Sequence, residues 1–428
     1  MEQLDLTKEL SQQGLLLMRA ENFVEAQKKF EQAIECNPMV ADSYMFLGNS
    51  YAAQKLFTEA KNAYKKAILI EKKGIYYFFY GNACVMNDET SEGLQQYNLA
   101  LQNGFDSPQM YFYMANIYRS LNDYTMSLRY YQKAIQKDVV NVNYRRYRID
   151  LLVSIGEYEQ AMQDIDDLLE MDADSFDGYY LKIKLLLKQD KNKEANKFAT
   201  NAIKRFPEDI RLLLEYINTC LVCDDLDEAM KQIQKAKQMK YFEVEKHNVD
   251  SMEVLVLAQM KKYDEAIQLC KEVMCNIEEY DMRMSMTLLN LYVAKEEFVL
   301  LEQYAHELVE QKRYDQLYYA AMYYEVFAMQ KQNKPEALTC FKEINSLYRL
   351  YSVKHPEMIE LYTYRILCLK EMKEYDKAME LIDFMFSLNV NAAELHLIKA
   401  DIYEAQERQV KATEERELAY ALNPKLRK

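Results

Sequence analysis

The chain has 428 residues, half of them hydrophobic and 29% charged, so it can bury a large core and does not have the composition of a disordered protein. Its net charge of −14 argues against a sequence-independent grip on nucleic acid, which depends on clustered Lys and Arg. Six prolines and eight glycines are too few for a sheet-rich fold, which needs turn residues at short intervals. The composition therefore favours an all-α protein.

The N-terminal segment MEQLDLTKEL is charged from its second residue and lacks the apolar core of a signal peptide. No stretch approaches 18 uncharged apolar residues, and even Tyr318–Met329 is interrupted by Glu325. Most of the eight cysteines fall at apolar helix positions, where a free thiol packs as a small hydrophobe. We therefore expect a cytoplasmic protein that does not bind membranes.

Small residues recur along the chain with a period of about 34. In the first part the spacing is 33 or 34, and further on the series is less regular. Twelve such units would fill almost the whole chain, and each predicts two amphipathic helices because large apolar residues stand three and four apart. The series consists of Ala26, Ala60, Gly93, Ser127, Ala161, Ala195 and Ala229, followed by Ala266, Leu300, Ala337, Ala378 and Ala412.

The first two units carry the fullest pattern. It consists of Gly14, Ala26, Phe30, Ala33 and Pro38, then Tyr44, Leu47, Gly48, Tyr51, Ala60, Tyr64 and Ala67. This pattern resembles the consensus of the tetratricopeptide-repeat (TPR) family, which has Gly or Ala, Tyr, Ala, Phe or Tyr, Ala and Pro at these offsets. The resemblance implies a right-handed superhelical solenoid of antiparallel helix pairs over essentially the whole chain. It says little about function, because one scaffold serves many roles.

The regularity of the repeats changes along the chain. We expect residues 1–242 to form a regular array of about seven repeats, and residues 243–428 to form a less regular array of about five that continues the first. Extra residues enter before Ala266, Ala337 and Ala378, and the largest insert lies around Tyr348–Met358. Longer second helices are expected in this part.

Motifs for catalysis or metal binding are weak. His306 and Glu307 begin like a zinc-protease motif, but position 310 is a glutamate instead of the second histidine. Cys220 and Cys223 form a CxxC without a second tight pair, and no glycine-rich phosphate loop is present. We predict a protein that is not an enzyme and that uses no metal or cofactor.

One position of the first helices is rich in asparagine. In TPR proteins generally, the first helix of each unit lines the inner groove. In successive units this inward position holds Asn49, Asn82, Asn116, Asp150, Lys184 and Asn218. Asparagine is a mediocre helix former, so local propensity does not explain it there. Because its amide both donates and accepts, it can bond the backbone of an extended peptide. The row is similar to the asparagine ladders of TPR proteins that bind extended peptides.

Large aromatic and basic side chains stand beside this row. The aromatic ones would supply pockets for apolar side chains of a ligand, or they would pack against adjacent helices instead. The inner positions of the first seven repeats carry an excess of basic residues, which could orient an acidic ligand. The predicted binding residues besides the four asparagines are Phe46, Phe78, Phe79, Phe112, Tyr113, Arg119, Arg146, Tyr147 and Lys184.

The sequence thus favours a protein–protein interaction scaffold or adaptor that binds an extended peptide segment of a partner in its concave groove. The alternative is a peptide-sensing regulator that changes the pitch of its superhelix on binding a signal peptide and controls a partner protein. An enzyme is disfavoured because no group of residues meets the first geometric tests for a catalytic site.

Overall fold

The computed structural model describes residues 2–275, 282–388, 390, 392–423 and 426. These residues form 24 α-helices and no β-strand, and none of these helices is both long and apolar enough to cross a lipid bilayer. The first helices of the twelve pairs are α1 (Glu2–Arg19), α3 (Ala41–Ala53), α5 (Gly74–Met86), α7 (Pro108–Ser120), α9 (Val142–Ser154), α11 (Phe176–Lys188), α13 (Ile210–Val222), α15 (Phe242–Gln259), α17 (Met282–Ala294), α19 (Gln316–Lys331), α21 (Ile359–Glu371) and α23 (Ala393–Ala405). The second helices are α2 (Phe23–Cys36), α4 (Phe57–Ile70), α6 (Thr90–Gln102), α8 (Tyr124–Lys137), α10 (Tyr158–Met171), α12 (Asn192–Arg205), α14 (Leu226–Ala236), α16 (Tyr263–Cys275), α18 (Phe298–Glu310), α20 (Ala337–Lys354), α22 (Tyr375–Ser387) and α24 (Gln409–Leu422). The predicted all-α repeat fold is confirmed.

Each second helix buries a stripe of residues three and four apart. In α2, Ala26, Phe30 and Ala33 are completely buried against the first helix of the same pair. The small residues allow the helices to approach, and the aromatic ring fills the space between them. The sequence predicts the wrong buried residue in one unit. Leu300 is 39% exposed, and its neighbour Leu301 on α18 occupies the buried repeat position instead.

The turn inside every pair is built in the same way. Its second residue has a φ between 57° and 82°, and the next residue donates its N–H to the carbonyl five positions earlier, as from Leu56 to Tyr51 at 2.9 Å. This is the Schellman motif, which satisfies carbonyls at the end of the first helix. Since the left-handed conformation is costly for most residues, its recurrence fixes a common geometry in all twelve described pairs. The left-handed residues are Glu21, Lys55, Asp88, Asn122, Gly156, Asp190, Asp224, Lys261, Glu296, Asn333, Lys373 and Glu407.

The chain divides into two compact units, Met1–Arg205 with α1–α12 and Phe206–Lys428 with α13–α24. This boundary lies one helix pair earlier than the change of regularity predicted from the sequence. Helices α3 to α12 in the first unit all have 13 or 14 residues. In the second unit α15, α19 and α20 have 18, 16 and 18 residues. The inserted residues therefore lengthen two first helices, and only α20 is the longer second helix that was expected.

Candidate functional site

Three asparagines of the predicted row make the same hydrogen bond. Asn49, Asn82 and Asn116 lie four residues before the last residue of α3, α5 and α7, and each is half-buried. In each case Oδ1 accepts a hydrogen bond from a tyrosine hydroxyl of the following second helix, fifteen residues further on. The distance is 2.7 Å for the first two pairs. The three pairs are Asn49 with Tyr64, Asn82 with Tyr97, and Asn116 with Tyr131.

Glycines on the first helices allow the tyrosine rings to come this close. A Cβ added to Gly48 would stand 2.5 Å from a ring carbon of Tyr64, and one added to Gly81 would stand 2.6 Å from a ring carbon of Tyr97. Both tyrosines are 1% exposed. Burial raises the pKa of each hydroxyl, so the tyrosines remain protonated and act as donors to the asparagines. Gly48 and Gly81 therefore leave the space in which each tyrosine hydroxyl reaches the neighbouring asparagine.

These bonds change the predicted chemistry of the row. The sequence suggested that each amide would both donate to and accept from a peptide backbone. In the structure Oδ1 already accepts from a tyrosine, so the group mainly left for a ligand is the Nδ2 donor. The tyrosine also fixes the orientation of the amide before any ligand arrives. The row is thus a set of oriented hydrogen-bond donors.

A second row of aromatic side chains runs beside the asparagines. Phe46, Phe79 and Tyr113 each stand three residues before an asparagine of the row, and Tyr147 stands three residues before Asp150. All four aromatic side chains are half-buried. Residues three apart share one face of a helix, so each aromatic group lies next to the ladder position of its own helix.

Two predicted aromatic residues belong to the packing between helices. Phe78 is only 5% exposed, and its ring centroid lies 4.8 Å from that of Phe105 and 6.2 Å from that of Tyr113. This burial argues against the predicted ligand contact of Phe78, because the helix turns this side chain into the core. Phe112 is half-buried, but tyrosines from three helices surround it, the nearest being Tyr147 at 4.9 Å between centroids.

An open pocket of about 540 Å³ lies between α5 and α7. Both Asn82 and Asn116 line it, together with the ring of Tyr113. Apolar side chains of Val85, Met86 and Ile117 line it as well, and Asp88, Thr90, Tyr97 and Ser120 complete its wall. Two oriented amides thus share one apolar pocket, a combination typical of sites where a few polar groups set the orientation of an apolar group.

The predicted basic residues lie beyond this pocket. Arg119 of α7 is half-buried beside Tyr131, whose pKa is raised by burial and lowered in part by this arginine. Arg146 of α9 is exposed, with its guanidinium 5.9 Å from the ring centroid of Tyr147. Lys184 of α11 is exposed too, with its ammonium 5.1 Å from the ring centroid of Tyr180. The first unit thus presents amides and an apolar pocket on α5 and α7, and positive charge from α7 to α11.

Residues 11–74 and 108–136 match family models of the tetratricopeptide repeat. The chain contains tetratricopeptide repeats. A TPR repeat-containing protein of Methanocaldococcus jannaschii is 23% identical to it over 230 residues, which cover 51% of this chain and 40% of that protein. The chain thus matches less than half the length of this relative.

Several solved structures are similar to this TPR protein at low sequence identity. YrrB, a TPR protein with an unusual peptide-binding site, is 20% identical and has a TM-score of 0.36, with 43% of this chain and 95% of YrrB covered. The C-terminal part of a TPR repeat-containing protein from Cytophaga hutchinsonii is 15% identical with a TM-score of 0.44, covering 60% and 98%. A TPR protein from Parabacteroides merdae is 15% identical with a TM-score of 0.41, covering 68% and 99%. TM-scores below 0.5 support no conclusion about function, so the function is argued from the residues of this chain.

The second unit of the TPR protein holds two further asparagines at the ladder position. Asn218 on α13 is half-buried, but the tyrosine fifteen residues on is replaced by the buried Ile233, so the hydrogen bond of the first unit is absent there. Asn290 on α17 was not predicted, because the repeat phase was counted from Leu300, one residue before the buried Leu301. Its Oδ1 accepts from Tyr324 of the next first helix at 2.7 Å. Asn218 is therefore not part of the group formed by the first three asparagines.

One cluster of possible metal ligands occurs among the described residues of the TPR protein, formed by Cys84, Glu89 and Glu92. Lys61 pairs with Glu89, and the hydroxyl of Tyr80 donates to Glu92. Burial raises the pKa of the Cys84 thiol to about 12, so the thiol is neutral and poorly suited to bind a metal. An ammonium in the cluster already balances a carboxylate, and the arrangement is that of an ion-pair network.

Proposed function

We propose that the chain is a non-enzymatic protein-interaction scaffold whose first unit binds an extended segment of a partner protein along the inner faces of α3, α5, α7, α9 and α11. The observation that carries this proposal is the pocket that Asn82 and Asn116 share, with each Oδ1 held by a tyrosine and each Nδ2 left to donate. The TPR fold supports a protein-protein interaction scaffold, and the pocket supports the finer proposal of a peptide site on the first unit.

The spacing of the row suits an extended backbone. Neighbouring first helices of packed repeats lie roughly 10 Å apart, and an extended peptide covers about that distance in three residues. The Nδ2 groups of Asn82 and Asn116 would then donate to carbonyls about three residues apart in the ligand. The side chain between those carbonyls would enter the apolar part of the pocket beside Tyr113. Backbone donors of this kind bind a peptide without reading most of its side chains.

The test begins with peptides selected from a random library displayed on phage, using the full chain as bait. The affinity of an enriched peptide is then measured for the double variant Asn82→Asp and Asn116→Asp by fluorescence polarisation. Aspartate keeps an acceptor for the hydroxyls of Tyr97 and Tyr131 but replaces both Nδ2 donors by oxygen. Alanine would leave these two hydroxyls without an acceptor and would damage the fold as well. We expect the double variant to bind at least about tenfold more weakly, because two hydrogen bonds are lost.

A matched control makes the same chemical change away from the site. Asn98 on α6 and Asn201 on α12 are exposed on second helices of the same unit, so Asn98→Asp with Asn201→Asp adds the same two negative charges. This control should bind the peptide like the unmodified protein. If no peptide is enriched, or if the site variant and the control bind equally well, the proposed function is wrong.

A further inference from the structure

The inner face of the first unit carries basic side chains that no carboxylate neutralises. Arg119, Arg146, Lys184 and Lys188 lie on this face of α7, α9 and α11, and none of them forms an ion pair with a described residue. Arg146 and Lys184 contact tyrosine rings instead, at 5.9 Å and 5.1 Å from the ring centroids. A ring holds a cation in place without cancelling its charge.

Basic residues elsewhere in the same repeats do find carboxylates. Lys137 pairs with Asp106 at 2.6 Å, and Lys182 pairs with Asp166 at 2.7 Å. The first unit has 25 basic and 28 acidic side chains, so carboxylates are not scarce. The lack of ion pairs is therefore a property of these inner-face cations and not of the first unit as a whole.

The charge of this face is opposite to that of the whole protein. Only two carboxylates, those of Asp150 and Asp177, accompany the four cations on α7, α9 and α11, which leaves a local excess of positive charge. The chain as a whole carries −14, of which the counts in the printed sequence place −3 in the first unit and −11 in the second. Positive charge kept on one face of an acidic protein attracts and orients an anionic ligand.

We propose that the peptide segment bound by the first unit is acidic, an inference that rests on the proposed function. Its apolar side chain enters the pocket between α5 and α7, and its aspartate or glutamate side chains face Arg119, Arg146, Lys184 and Lys188. At about three residues per repeat, the acidic residues lie roughly three to nine positions from the apolar one along the ligand. An acidic peptide fits better than a single-stranded nucleic acid, because the pocket beside the cations offers amide donors suited to peptide carbonyls.

The experiment repeats the phage selection with the full chain as bait and compares three proteins. The unmodified chain should enrich peptides with one large apolar residue and several Asp or Glu residues. The double variant Arg146→Gln with Lys184→Gln should lose the enrichment of acidic residues and bind an enriched acidic peptide about tenfold more weakly. The control Lys193→Gln with Lys197→Gln removes two exposed lysines from α12 and should behave like the unmodified chain. Circular dichroism of all three proteins checks that they are folded.

The outcomes separate this proposal from the one on which it rests. Enriched peptides without acidic residues that still depend on Asn82 and Asn116 would overturn the acidic preference and leave the scaffold function in place. Equal loss of affinity in the α12 control would also overturn it, because net charge alone would then explain the effect. Displacement of the peptide by oligothymidylate at lower concentration than by unlabelled peptide would assign the face to nucleic acid instead. Failure to enrich any peptide would overturn both proposals.

Discussion

Removing one hydroxyl from the site tests whether the asparagine amides must be oriented in advance. In Tyr97→Phe the ring remains in its buried position, 1% exposed, and only the donor to Asn82 is lost. A neutral hydrogen bond contributes about 1 kcal/mol to stability, so we expect the free energy of unfolding to fall by about that amount. Asn82 is half-buried at an open pocket, so water can take the place of the hydroxyl without a large further cost.

The effect on binding follows from the freedom that Asn82 gains. Once its Oδ1 is released, the amide can rotate, and a ligand must fix it again on binding. Fixing one side chain costs about 0.5–1.5 kcal/mol, which corresponds to an affinity loss of roughly two- to tenfold. The same substitution at Tyr131 should act in the same way through Asn116. Urea unfolding followed by circular dichroism gives the stability, and fluorescence polarisation with a selected peptide gives the affinity.

A tyrosine outside the site provides the comparison. Tyr348 is completely buried in the second unit, and its hydroxyl donates to the carbonyl of Tyr319 at 2.7 Å. Tyr348→Phe should therefore cost about as much stability as Tyr97→Phe but leave the affinity unchanged. The reasoning is refuted if both variants weaken binding to the same extent, or if Tyr97→Phe is less stable yet binds as tightly as the unmodified protein.

Three further predictions concern packing, turns and thiols. Gly81→Ala should lower the free energy of unfolding in urea by about 1–3 kcal/mol, because the new Cβ would stand 2.6 Å from a ring atom of Tyr97. Without this clash, the same substitution would usually stabilise a helix. Lys55 has a φ of 61°, a left-handed conformation that glycine adopts without strain, so Lys55→Gly should be neutral or raise the stability by up to about 1 kcal/mol. The same change in the middle of α12, Lys197→Gly, should lower the stability by about 1 kcal/mol. Iodoacetamide should label the exposed Cys275 before the buried Cys84, as mass spectrometry of the peptides would show. Burial raises the pKa of Cys84 from 9.0 to about 12, so the folded state holds the thiol proton more tightly than the unfolded state does. The contribution of this thiol to the free energy of unfolding should therefore be complete below pH 9 and should be lost as the pH rises from about 9 to 12. A C84A variant should not show this loss.

The position of the ladder could be predicted from the sequence, but its bonding could not. The period of 34 fixes which residue follows the small one on each first helix, and Asn49, Asn82 and Asn116 lie at the predicted position. Their partners could have been found, since tyrosine recurs fifteen residues after each of the three. What the sequence lacks is the distance between helices, which decides whether such a hydroxyl reaches the amide or only the surrounding apolar groups.

Adjacent aromatic residues mark another limit of the sequence. Phe78 and Phe79 stand at the edge of one buried stripe and point about 100° apart around the helix. The orientation of the helix decides which ring enters the core, and the structure buries Phe78 and leaves Phe79 half-buried. In the second unit the spacing from Ala266 to the buried Leu301 is 35 residues instead of 34, which is why Leu300 was assigned in place of Leu301.

The bond to tyrosine explains why the ladder position needs an acceptor, but it does not explain why the acceptor is asparagine. Elsewhere the chain uses a carboxylate for the same purpose, as where Tyr76 donates to Asp42 at 2.6 Å. Where the tyrosine is replaced by the buried Ile165, the ladder residue is Asp150, which is exposed. An aspartate at Asn82 would satisfy Tyr97 equally well but would present a negative charge and no donor to the pocket. Asparagine satisfies the tyrosine and adds a neutral donor, so the donor is the property that the fold alone does not require.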